Sequence, residues 1–133
     1  MWRLFTVEEV IKIHDSVINQ GELQGLAGSK SLEGALSRVD FRITYGVIKD
    51  EFDLAATYAV AIAQGHVFND ANKRTAYTCM HVSLKANGVN LVFYDDTIGD
   101  LIIKVAQGLV DEGELATWLR TKKIESLEKD ARK

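Results

Sequence analysis

The sequence predicts an all-α fold, a single compact domain of six or seven helices, and three features carry that prediction. The 133 residues contain no proline, so helices run without their commonest breaker and no Pro-rich linker divides the chain. Apolar residues recur at helical spacing in one segment after another, several opened by a capping residue and closed by glycine. Extended structure has one candidate, the brief run Leu91-Val92-Phe93-Tyr94 ahead of Asp95-Asp96.

The first helix starts at Thr6, whose hydroxyl can cap it while Glu9 reaches back as the other half of a capping box. Val10, Ile11, His14, Val17 and Ile18 then mark one face, and Gly21 is the expected stop. A glycine-rich connection, Gly21 to Gly28, leads to Ser31, which caps a short second helix through Leu32, Ala35 and Leu36, continuing or kinking toward Tyr45-Gly46. Asp50 opens the third. From Phe52 to Ala63 this helix is apolar almost all round, the pattern of a helix surrounded by others, and its alanines admit close neighbours. Gly65 ends it, and the next helix spans about Asn72 to Asn87 before Gly88. Amphipathic helices over Thr97–Gln107 and from Glu114 to about Leu127 complete the chain.

Length allows one domain, residues 1–133, with 121–133 a charged helical tail. The basic residues of that tail, Lys122 and Lys123 and then Lys129 to Lys133, are interleaved with acids and read as a solvated helix face. Net charge is −3 and the pI near 5.6, so no general attraction to nucleic acid or anionic membrane is expected. The single cysteine, Cys79, cannot form an internal disulfide and lies in an apolar-periodic stretch, as a buried structural thiol would. Trp2 and Phe5 run straight into an acidic segment without an apolar signal core, and no apolar run reaches membrane-spanning length; a cytoplasmic protein is expected.

Chemistry concentrates between the buried helix and its successor. His66 follows the helix-ending Gly65, where an imidazole could take a proton from an incoming hydroxyl. Phe68 is the expected apolar anchor of the loop. Asp70 stands just ahead of a helix N-terminus, whose unpaired N–H groups and partial positive charge bind phosphate. A carboxylate there can hold Mg2+, which takes few protein carboxylates plus phosphate oxygens. Lys73 and Arg74 in the first turn oppose the helix dipole, a conflict that a bound polyphosphate would cancel. Together with Asn72 these are the parts that phosphoryl transfer needs. The bland alternative is a histidine capping one helix and Asp70 or Asn72 capping the next; such caps need neither lysine nor arginine in the first turn.

The run His66-Val67-Phe68-Asn69-Asp70-Ala71-Asn72-Lys73-Arg74-Thr75-Ala76 resembles the signature of the Fic/Doc (Fido) superfamily, and within it the death-on-curing branch. The resemblance extends to Gly25-Leu26, Leu32-Glu33, Tyr45-Gly46, Phe52-Asp53-Leu54-Ala55, Asn87-Gly88 and Ile13-His14-Asp15, roughly residues 6 to 120. It implies a Fido-type helical toxin that modifies a protein hydroxyl using ATP and Mg2+. Most Fic enzymes transfer AMP with a Gly-Asn-Gly-Arg motif and a further arginine. Here Ala71 and Lys73 replace the glycines and Tyr77 stands in for that arginine, which removes a bidentate phosphate clamp.

Those departures match the death-on-curing branch, which implies a Ser/Thr kinase that transfers the γ-phosphate, acts on translation elongation factor Tu and arrests translation. By position, His66 would be the base, Asp70 the metal ligand, and Asn72, Lys73 and Arg74 the phosphate contacts. Gln64 stands where that branch has arginine, and Thr78 where it has asparagine. A cognate antitoxin of the Phd type, laying an amphipathic segment in a groove, is the implied partner, and any DNA contact would belong to the antitoxin. An adenylyltransferase and a catalytically weakened, antitoxin-bound corepressor are the alternatives.

His14 reads as a satisfied core or interface residue, His81 as a mid-helix residue without function, and Trp2 and Trp118 as packing residues. Ser29 to Gly34 fits the loose pattern of Fic inhibitory helices but equally that of a core helix of the death-on-curing branch, and the latter is the reading adopted.

Overall fold

The computed structural model describes residues 2–28, 30–93 and 96–131, without the side chains of 124–131. Six helices form its regular structure: α1 (Val7–Val17), α2 (Leu32–Thr44), α3 (Glu51–Gly65), α4 (Asn72–Ala86), α5 (Thr97–Ala106) and α6 (Glu112–Ala131). Helix α3 is the hub. It packs against α4, α2, α6 and α5, and every residue from Leu54 to Ala63 is buried. The all-round apolar pattern thus does what it predicts, and Ala55, Ala56, Ala59 and Ala63 let the neighbouring helices approach its axis. Each fully buried aliphatic side chain in and around it, such as Leu54 and Ile62 of α3 itself or Leu84 and Leu119 of its neighbours, contributes roughly 1.5–3 kcal/mol.

A smaller cluster, Val39, Ile48, Leu54 and Tyr58, lies under the N-terminal segment, with Trp2, Leu4 and Phe5 packed on it. The Phe5 amide donates to the Tyr58 hydroxyl at 2.9 Å and the two rings lie 4.9 Å apart. Trp118 packs on Phe93, so both tryptophans serve packing, as expected. Gln64 spends its amide on the Val105 carbonyl at 3.1 Å, docking the end of α3 on α5.

The capping box at Thr6 and Glu9 forms as read. The end of α1 does not. The helix stops at Val17, with Ile18 extended; the Val17 carbonyl, left free at the helix end, accepts from Arg74 at 2.7 Å, and Gly21 lies in a separate turn. Helix α2 runs without a break to Thr44; Ser31 caps it through the Gly34 amide, so this stretch is an ordinary helix start, and Ser29 lies outside the described residues. Helix α6 begins two residues before the expected Glu114, since Asp111 and Glu114 form their own reciprocal cap. Among the described residues Leu91 to Phe93 forms no strand; Leu91 fills the core instead, and Tyr94 lies outside the described residues. No helix among the described residues is long and apolar enough to cross a membrane.

Charge fixes α6 to the rest. Glu112, buried at its first turn, accepts from Arg38 at 2.7 and 2.9 Å, with Arg42 at 3.4 Å. Arg120 spans Asp50 and Asp53 at the start of α3. Burial alone would raise the Asp50 carboxyl, but Arg120 and the Asp53 amide hold it below its ordinary value.

Candidate functional site

The segment from His66 to Ala71 is a corner between the hub helix and α4, and both of its ends are left-handed. His66 closes α3 with φ 49°, and Ala71 precedes α4 with φ 65°. Non-glycine residues adopt this region at a cost of order 1–2 kcal/mol, so the surroundings must hold the corner in place. They do so from several sides. Phe68 is buried, as expected of an anchor, and its ring stacks on His14 at 3.9 Å and 5°. Asn72 closes the loop on itself, donating to the Phe68 carbonyl at 2.9 Å and accepting from the Phe68 amide at 3.1 Å.

The connection after α1 clasps the outer side. Leu26 bridges Phe68, the Ala27 amide donates to the Val67 carbonyl, and Asn69 donates to the Gln24 carbonyl at 2.9 Å. Gly25, at φ 86°, makes the turn there in a left-handed backbone that a side chain would strain.

Neither Asp70 nor Asn72 caps α4, and among the described residues no side chain does. The first N–H groups of α4 therefore stay open as donors. Asp70 is fixed at two points: its carbonyl accepts from His14 Nε2 at 2.9 Å, and its Oδ2 accepts from the Leu23 amide at 2.9 Å. That leaves Oδ1 for another partner. No three His, Cys, Asp or Glu side chains among the described residues gather to hold a metal on their own. A single carboxylate beside open amide donors suits Mg2+ arriving with phosphate oxygens, rather than a cation caged by protein.

Beside this loop lies a cleft of about 670 Å³, within the usual range of small-molecule sites. Asp70, Ala71, Asn72, Lys73 and Arg74 form its polar wall, with Glu22 and Asp96 at its margin. Tyr77, Phe93, Ile98 and Ile102 form the apolar wall. His66 is exposed at the corner and is not among the lining residues. Burial in this wall raises the Tyr77 phenol above its ordinary range.

The two cations differ in standing. Lys73 is exposed and makes no ion pair among the described residues. Arg74 is paired with Glu22 through two hydrogen bonds at 2.7 and 2.8 Å, besides its bond to Val17. Arg74 and the Asn19 amide hold the Glu22 carboxyl down at about 2, and Glu22 in turn raises Arg74. Among the described residues, Lys73 is thus the cleft cation that no ion pair holds.

Sequence reading did not single out Glu22, the apolar wall or the contact of His14 with Asp70. Glu22 and Arg74 are 52 residues apart, and His14 and Asp70 are 56 apart, so no local spacing announces either pair. His81 stacks on Tyr77 behind the apolar wall. Cys79 is fully buried, and burial pushes its thiol up to about 12, as an inert structural residue requires.

Residues 4–84 match the Fic/DOC family. The chain is also 40% identical over 119 residues to the protein kinase doc of Escherichia phage P1, covering 89% of this chain and 94% of that one. The matched region contains the whole left-handed corner, its histidine and the open start of α4, and this chain belongs to the Fic/DOC family.

Proposed function

We propose that the protein is a Mg2+-dependent protein kinase of the Doc type, transferring the γ-phosphate of ATP to a serine or threonine hydroxyl of a protein. The observation that carries this reading is the N-terminus of α4, uncapped among the described residues and beside the exposed Lys73, with His66 and Asp70 in the same corner. The likeness to a chain named a protein kinase supports it. Tyr77, in place of a second arginine, favours γ-phosphoryl over adenylyl transfer because a bidentate clamp for the outer phosphate is missing.

In this reading the first amides of α4 and Lys73 hold the phosphates, and Arg74 adds the N–H donors that Glu22 leaves free. Asn72 keeps the loop closed. Asp70 would hold Mg2+, which supplies charge neutralisation at the phosphates. The substrate hydroxyl loses its proton to the His66 imidazole as its oxygen bonds to the γ-phosphorus. The bond to the bridging oxygen breaks and ADP leaves with the electron pair. By resemblance the target is translation elongation factor Tu, the outcome is translation arrest, and a Phd-type antitoxin is the cognate partner.

The test uses purified protein, Mg2+, elongation factor Tu and ATP labelled at the γ or the α position. Label from the γ position alone is the expected result. Label from the α position would establish adenylyl transfer instead, and no label from either would leave a binding module. Transfer persisting in His66→Ala would remove His66 from the role of base.

A further inference from the structure

We infer that His14 is a positioning residue that locks the peptide between Asp70 and Ala71 with its N–H turned out to receive phosphate. The inference rests on reading the start of α4 as a phosphate site, and it assigns work to a histidine outside the signature.

His14 is 1% exposed, on the inner face of α1. Its Nε2 is 2.9 Å from the Asp70 carbonyl oxygen. A carbonyl only accepts, so Nε2 carries the proton whatever the state of Nδ1, which lies 3.2 Å from an Asp15 carboxylate oxygen. Stacking on Phe68 at 5° fixes the plane of the ring and hence the direction of that N–H. The peptide group is planar and trans, so its C=O and N–H point in opposite directions. With the Asp70 carbonyl held inward on His14, the Ala71 N–H points outward, on the side of the residues that line the cleft.

This orientation has to be enforced, because Ala71 sits at φ 65°, where an alanine is strained by about 1–2 kcal/mol. Rotating the peptide would relieve the strain and face the carbonyl, a partial negative charge, toward the phosphates. His14 opposes that rotation from the interior, while the Leu23 amide on Asp70 Oδ2 steadies the same residue from outside.

The test measures the affinity of inorganic triphosphate with Mg2+ by calorimetry, alongside thermal melting. His14→Phe keeps a ring for Phe68 but removes the donor; His14→Gln restores an N–H at similar reach. The phenylalanine variant should bind triphosphate about tenfold or more weaker, the loss of one charge-assisted hydrogen bond, with its melting temperature little changed. The glutamine variant should recover most of the affinity. Unchanged affinity in His14→Phe overturns the inference, as does a loss that follows the fall in melting temperature with no rescue by glutamine. Should His14→Phe not fold, the wild-type Ala71 amide resonance decides: it should shift strongly downfield on adding triphosphate, and a stationary resonance contradicts the inference. Wild type that binds no triphosphate would sink the phosphate site and this inference together, whereas wild-type binding with an indifferent His14→Phe sinks the inference alone.

Discussion

Helices α3 and α4 meet at one corner, α3 by its C-terminus and α4 by its start, yet their N-termini are built oppositely. Helix α3 starts with Asp50 in extended backbone, its carboxylate on the Asp53 amide and on Arg120, and acids in its first turn. Every electrostatic preference of a helix start is met there. Helix α4 starts with a left-handed alanine, no side-chain cap, no acid in its first turn, and two cations. Each of those choices costs stability. One terminus is finished by the chain itself, and the other is left for an anion to finish. A fold that breaks its own rules at one place marks that place as functional.

The largest effect expected from separating the two ends is on chemistry. His66→Ala should lower phosphoryl transfer by about 10²–10⁴-fold while the melting temperature stays close to wild type, because the side chain is exposed. A variant that unfolds would instead make His66 a structural cap.

Asp50→Ala should do the reverse. Losing the cap and the Arg120 contact costs about 1–2 kcal/mol in denaturant titration, discounted for a half-exposed ion pair, and ATP affinity should not change. The same carboxylate predicts acid sensitivity. Its folded-state pKa is depressed, so its contribution is fully present above the unfolded value near 4 and is lost as pH falls through the lower folded value. Stability measured from pH 5 down to pH 2 should fall more steeply in wild type than in Asp50→Asn.

A smaller change is expected at Ala71. Glycine accepts φ 65° without strain, so Ala71→Gly should stabilise the fold by about 0.5–1 kcal/mol. Destabilisation would mean that the left-handed corner is not strained. Least of all should happen at Cys79: buried and with its thiol pushed up to about 12, it should resist thiol reagents in the native protein and react only after unfolding.

The finished terminus was legible in the sequence. Asp50, the apolar girdle from Phe52 to Ala63 and the Thr6–Glu9 box are local patterns, and local patterns dictated local structure. The Asp111–Glu114 box is equally local, yet it sets the start of α6 two residues ahead of the expected Glu114. The unfinished terminus was legible only in part. His66, Asp70 and Lys73 stand in one run, whereas what holds them comes from elsewhere: His14 from α1, and Glu22, Leu23 and Leu26 from the following connection. Those contacts follow from how α1 lies against α4, and no spacing in the sequence encodes that. The end of α1 was misplaced as well; its last carbonyl, Val17, is satisfied by the distant Arg74 rather than at Gly21.

The contrast between the two termini is tested most directly by finishing α4 artificially. Ala71→Asp places a carboxylate before the open amides, with a residue that tolerates left-handed backbone better than alanine does. Melting and Mg·ATP calorimetry on this variant and wild type form one paired measurement. The account predicts a gain of about 0.3–1 kcal/mol in stability together with at least a tenfold loss of nucleotide affinity. Unchanged affinity, or a loss of stability, would contradict it.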